Sequence, residues 1–113
     1  MPTTKPAGKV ECVNPGTGNR LNIDAGTYEL FSKAIYHTLL GRKSLTYTQM
    51  VEGVQNCFQL QNTTFNGSVG WYAVTVKNDM QAKGIISVFT EGGKKLHRLA
   101  VKERVVLKTR HDR

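Results

Sequence analysis

The sequence predicts a single α+β domain: a short N-terminal β-hairpin, three helices and a C-terminal β-hairpin. Three observations predict it. Apolar residues recur at three- and four-residue steps in three separate stretches, which puts each set on one helical face. A residue with capping chemistry stands before each stretch, and glycines follow the first and third. Short β-branched or alternating runs, bounded by turn formers, lie before the first helix and after the last. A chain of 113 residues fits one domain and can bury a core without staples. The expected division is a frayed tail over residues 1–8, the domain over 9–102 and a basic tail over 103–113.

Val10 to Val13 and Leu21 to Ile23 are the first two runs. Between them, Asn14-Pro15-Gly16-Thr17-Gly18-Asn19 is dense in turn formers, so the pair reads as a hairpin. Val10 and Cys12 share one face, and Leu21 and Ile23 oppose them. Gly16-x-Gly18 is a plain turn, because no Lys-Ser/Thr follows at the spacing of a phosphate-binding loop.

Asp24 to Leu40 is the first helix, with Asp24 as cap and Thr27 as a competing start. Tyr28, Phe31, Ala34/Ile35 and Thr38/Leu39 form its apolar face, and Gly41 ends it. A short basic loop, Gly41-Arg42-Lys43-Ser44, follows. Thr46 to Gln59 is the second helix. Thr46-x-x-Gln49 fits a capping box with Leu45 as the staple residue, and Tyr47, Met50/Val51, Val54 and Phe58 face inward. Phe65 is expected to plug the core from the following loop.

Ser68 to Lys83 is the third helix, with Ser68 or Asn66 as cap. Val69, Tyr72/Ala73, Val76 and Met80 make its inner face. Gly84 closes it. Ile85 to Phe89 and Leu96 to Val101 are strands joined through Gly92-Gly93, and Val105 to Leu107 can extend a strand or dock on the body.

Charge is unevenly spread. The net charge is +8, with six Lys/Arg against four Asp/Glu over residues 1–76 and ten against four over 77–113. The C-terminal third therefore carries +6 of the total, which favours a polyanionic partner. No apolar run reaches the length of a membrane span and no secretory h-region precedes the hairpin, so the cytoplasm is the expected compartment, with no membrane partner. Without such a leader, the sequons at Asn62 and Asn66 carry no weight. Cys12 and Cys57 form no C-x-x-C pair and read as buried free thiols.

Nothing in the pattern points to catalysis. His37, His97 and His111 lack metal-ligand spacing, and no Ser sits in a G-x-S-x-G setting. The carboxylates are scattered, with Asp24 read as a cap and Asp79 as helix surface. The expectation is a protein that is not an enzyme, with no catalytic or metal-binding residues, no cofactor and no small-molecule substrate.

From Asp24 to Val101 the order helix, helix, helix, hairpin resembles a winged helix-turn-helix domain. The sharpest part of the resemblance is Val76-Lys77-Asn78-Asp79-Met80-Gln81-Ala82-Lys83-Gly84-Ile85-Ile86, where a recognition helix would enter its wing. The whole chain is also similar to a small group of short, uncharacterised bacterial proteins with Gly-Trp-Tyr at the start of that helix. The resemblance implies a regulatory module whose third helix meets duplex DNA.

On that reading Thr75, Asn78 and Gln81 are the base readers, since Asn and Gln bond adenine bidentately and Thr touches a thymine methyl. Lys77, Lys83, Lys94, Lys95 and Arg98 hold phosphates on one positive surface. Trp71 and Val74 do not suit base reading. They are open to three roles: core, an anchor for a homodimer or protein partner, or nucleic-acid contact. The alternative function is accordingly an interaction module that uses the Trp71 face without binding DNA.

Overall fold

A computed structural model describes residues 8–41 and 44–100. The expected terminal tails, the Arg42-Lys43 part of the basic loop, Val101 and the Val105–Leu107 extension lie outside those residues. In order, the elements are β1 (Lys9–Val13), β2 (Arg20–Asp24), α1 (Ala25–Leu39), β3 (Leu45–Thr46), α2 (Tyr47–Leu60), α3 (Val69–Ala82), β4 (Ile86–Glu91) and β5 (Lys94–Leu99).

The helices start where the side chains can satisfy free backbone N–H groups. Asp24 accepts from Thr27 N–H at 3.0 Å, and Ser68 accepts from Trp71 N–H at 3.1 Å. Thr46 and Gln49 form both halves of a capping box. The ends of α2 and α3 are both Schellman motifs. Thr63 N–H reaches Phe58 carbonyl and Asn62 N–H reaches Gln59 carbonyl, with Asn62 at φ 55°. Ile85 and Gly84 make the same pair of bonds to Met80 and Gln81.

The core lies where the three helices meet. Phe31, Ile35 and Leu39 from α1, Met50, Val54 and Phe58 from α2, and Ala73, Val76 and Met80 from α3 are buried together. The ring of Phe31 stands at its centre, 5.2 Å from Phe58, 4.9 Å from Phe65 and 5.7 Å from Tyr72. Phe65 thus enters from the α2–α3 loop as the sequence predicts. Full burial of one such ring contributes about 1.5–3 kcal/mol.

Two antiparallel sheets flank the helices. β1 pairs with β2 in the register Val10↔Ile23 and Cys12↔Leu21, and the buried Cys12 and Ile23 join the core. The second sheet has the order β3-β5-β4. β4 and β5 run closer to the turn than predicted, so that only Gly92 and Gly93 bridge them. Both adopt positive φ, 61° and 79°, as a tight hairpin turn requires. The strand β3 is not foreseen by the sequence. Two residues give no periodicity, and the capping role of Thr46 masks their pairing with Leu96 and His97.

α1 and α2 approach closely at Gly53. A Cβ built there would overlap the side chain of Thr38. Gly53→Ala should therefore destabilise the domain by about 1–3 kcal/mol, although Ala is the better helix former by about 1 kcal/mol. In a Thr38→Ala background the same substitution should become neutral or stabilising. Denaturant midpoints of the four proteins test this, and an equal effect in both backgrounds would contradict it.

Candidate nucleic-acid interface

α3 has a buried face, two flanks and an outward stripe. Ala73, Val76 and Met80 point into the core, as the periodicity predicts. With 3.6 residues per turn, the opposite side carries Trp71, Val74, Thr75, Asn78, Gln81 and Ala82. Trp71 and Ala82 are exposed at its two ends. Between them Val74, Thr75, Asn78 and Gln81 are only half-buried, where the sequence predicts Asn78 and Gln81 exposed. The stripe is recessed because a hairpin packs along each flank.

One flank meets the N-terminal hairpin. Asp79 is fully buried there, which corrects its reading as helix surface. Its Oδ1 accepts the Val13 N–H at 3.0 Å, and its Oδ2 accepts the Tyr28 hydroxyl at 2.6 Å. The same Oδ2 lies 2.6 Å from Lys83 Nζ. A carboxylate so far from water needs this number of donors, because an unpaired buried charge would neutralise or unfold its surroundings. Burial and the bond to Asp79 push the Tyr28 hydroxyl well above its ordinary value. Burial, reinforced by Asp79, raises the nearby Cys12 thiol to about 11, so this cysteine is not a nucleophile. Beside this cluster Thr75 and Asn78 line a recess of about 120 Å³ with Asn14, Asn19 and Leu21. The turn holding these asparagines is set by Asn14, whose side chain accepts from Gly16 and Thr17 N–H.

The other flank meets the β4–β5 hairpin. Side chains alternate across it, so Lys95, His97 and Leu99 share the face that carries buried Ile86. Lys94, Leu96 and Arg98 point the other way, with the Arg98 guanidinium 4.8 Å above the Phe89 ring. Lys77 projects from α3 toward Lys95 and His97 and is only 8% exposed. Burial first, then Lys95, lowers its affinity for a proton. His97 is 1% exposed, and its Nδ1 lies 3.0 Å from the Leu45 carbonyl. A carbonyl only accepts, so Nδ1 carries the hydrogen and Nε2 is a bare acceptor. That Nε2 is buried with no hydrogen-bond partner among the described residues.

The predicted phosphate-binding residues are therefore divided by the fold. Lys94 and Lys95 are exposed at the hairpin tip, on opposite faces. Arg98 lies on the outer sheet face. Lys83 is engaged with Asp79 and stands 5.0 Å from the centre of the Tyr28 ring. Lys77 is enclosed. Trp71 is 45% exposed and packs edge-on against Tyr72, with centroids 4.8 Å apart. Of the roles open to it, core filling is thus not the one it takes. His37 is exposed, in keeping with a surface histidine.

Sequence reasoning missed Asp79, His97 and the Asn14–Asn19 turn as parts of this region. An acidic residue between two core positions, Val76 and Met80, is the one sequence signal that marks Asp79. Among the described residues, no group of three or more His, Cys, Asp or Glu could hold a metal ion. No described helix is long and apolar enough to cross a membrane.

Residues 9–96 match the model of a family described as a family of unknown function (DUF6958), and the chain belongs to that family. No curated protein and no solved structure matches it.

Two outcomes follow from the flanks. Asp79→Ala should cost about 1–3 kcal/mol for each buried donor left without an acceptor, and Asp79→Asn, which keeps one acceptor oxygen, should cost less. Equal midpoints for wild type and Asp79→Ala in urea would contradict the clamp. For His97, burial is the largest influence, with Lys77 and Lys95 adding to it and the Leu45 bond opposing, and together they lower its proton affinity in the fold. The unfolded chain then binds the proton more readily. Stability from neutral His97 is complete above about pH 6.5 and is lost as pH falls through the folded value. Urea midpoints should drop over that window in wild type but not in His97→Gln.

Proposed function

We propose that this member of the family is a winged helix-turn-helix DNA-binding module, regulatory in role and acting in the cytoplasm. In this reading α3 is the recognition helix and the β4–β5 hairpin is the wing. The supporting layout is three packed helices followed by a glycine-tipped hairpin whose return strand is held by β3. The observation that carries the reading is the polar stripe of α3. Thr75, Asn78 and Gln81 open outward between two hairpins, and one of those hairpins ends in Lys94 and Lys95.

Asn78 and Gln81 offer a donor and an acceptor side by side, which is what a major-groove adenine edge requires. Lys94 and Lys95 at the wing tip, with Arg98 behind them, would take phosphates on either side of that groove. Lys77, only 8% exposed, would reach a phosphate less readily than the wing-tip lysines. Lys83 contributes least, because contact with DNA would compete with its ion pair to buried Asp79. The recess between Thr75 and the N-terminal turn adds Asn14 and Asn19 to the edge of the same surface.

A second reading has its own observation. Trp71 exposes an indole at the start of α3, beside Val74 on the outward stripe. A large aromatic anchor suits a homodimer or a protein partner better than a base edge. In that reading the stripe docks protein and DNA is not bound.

Fluorescence polarisation with a labelled mixed-sequence duplex separates the two. DNA binding predicts retention at low salt, and each phosphate contact removed should shallow the slope of log affinity against log salt by about 0.9. Lys94→Ala with Lys95→Ala should weaken all sequences alike. Asn78→Ala should relax preference at one position by about 1–3 kcal/mol. Absence of any retention at low salt would sink the DNA reading. A change in oligomeric state on Trp71→Ala would then favour the interaction module.

A further inference from the structure

Three basic side chains, Lys77, Lys95 and His97, lie near one another where α3 meets the inner face of the wing. Lys77 enters from the helix with its stem buried. Lys95 and His97 come from β5, two residues apart and so on the same face. Their partners across the hairpin are Thr90 and Val88, neither of which carries charge. The ion pairs among the described residues are Arg20–Glu11, Lys33–Glu29 and Lys83–Asp79, and none of them involves Lys77 or Lys95. Among the described residues, the charged groups near His97 are Lys77 and Lys95, and the polar group bonded to it is the Leu45 carbonyl.

This is an unusual place to leave two ammonium groups. Burial of a lysine stem is ordinary, because the charged end can reach water. Lys77 is 8% exposed with no carboxylate paired to it among the described residues, and it lies near the exposed Lys95 and a buried imidazole. The imidazole is fixed by its Nδ1 bond, and its Nε2 has no hydrogen-bond partner among the described residues. A bound oxyanion would satisfy the two ammonium groups at once. It would also reverse the local field at Nε2, from one that repels a proton to one that holds it.

We propose that Lys77 and Lys95 form a seat for a phosphate-class oxyanion above His97, and that a bound anion brings one proton from solvent onto Nε2. The anion rests on the two ammonium groups, and the protonated imidazole adds a positive charge beneath it. By linkage, anion and proton each strengthen the binding of the other. The source of the oxyanion is either a free small anion or the phosphodiester backbone of a nucleic acid. The seat does not rest on the DNA reading, since a free anion suffices to fill it.

The test is imidazole NMR of the labelled full-length chain, titrated between pH 5 and pH 8 in three arms. One holds sodium chloride, one sodium sulfate at matched ionic strength, and one chloride with a mixed-sequence duplex. Sulfate is the probe because it does not itself titrate in this range. Relative to chloride, the His97 midpoint should rise by about one pH unit with the anion bound, while exposed His37 stays put. Lys77→Met, which keeps the apolar stem, and Lys95→Gln should each reduce the rise, and together they should abolish it. A rise with sulfate identifies a free-anion seat, and a rise with duplex alone identifies a backbone contact. A rise with sulfate but not duplex keeps the seat and counts against the DNA reading. An unchanged His97 midpoint in both arms, or a rise that survives in the double variant, would overturn the proposal.

Discussion

The buried carboxylate of Asp79 is the constraint on which the rest of the arrangement depends. It stands on α3, one residue before the core position Met80, and is fully enclosed. Its two oxygens take a backbone N–H from β1, a phenol from α1 and an ammonium from its own helix. Three elements distant in sequence therefore meet at one charge. An ion this deep is tolerated only if every donor is in place, so the N-terminal hairpin cannot drift from α3 without exposing an unmet cost. The hairpin is thereby fixed as one wall beside the outward stripe. It adds the Asn14 and Asn19 side chains to that wall and leaves Cys12 as a closed, unreactive thiol.

The opposite wall rests on a weaker and more adjustable device. β3 is only two residues long, and its place in the sheet is secured by Leu45, which pairs with His97 through the backbone and again through its carbonyl and Nδ1. That second bond fixes the ring and its tautomer but leaves Nε2 bare beside Lys77 and Lys95. One flank of α3 is thus closed by a satisfied negative charge, and the other borders a positive cluster with no ion pair among the described residues. The proposed response to anions and protons therefore belongs to the wing side and not to the N-terminal side. The asymmetry also explains why the five predicted phosphate-binding residues do not lie on one surface. Alternation along β5 sends Lys94 and Arg98 to one face and Lys95 to the other, while Asp79 withdraws Lys83.

Most of the fold was legible because its signals are local. The helix starts at Asp24, Thr46 and Ser68 follow from side chains that reach three residues forward, and the ends at Gly41 and Gly84 from backbone conformation, whereas the end at Asn62 carries no glycine to mark it. The turn at Gly92-Gly93 and the pairing of Val10 with Ile23 follow from the same short-range chemistry. What was not legible depends on long-range contact. A two-residue strand has no period to read, and its partner lies about fifty positions away in the chain, a separation that local propensity does not encode. Asp79 looks like a surface residue because acidic residues usually are, and Lys77 looks like a phosphate ligand for the same kind of reason. Helical spacing does place both on the flanks of the core face, but it does not say that hairpins cover those flanks. The outward stripe of α3 accordingly follows from helical spacing, but its place in a recess between two hairpins does not.

The stripe between the two walls is the surface proposed to meet duplex DNA. Backbone amide NMR during titration with a mixed-sequence duplex at low salt tests that most directly, because it reports position as well as binding. The predicted result is a contiguous set of shifting amides over Thr75, Asn78 and Gln81, the wing tip at Lys94 and Lys95, and the Asn14–Asn19 turn. Shifts gathered instead at the start of α3 around Trp71, or a spectrum that the duplex leaves unchanged, would contradict it.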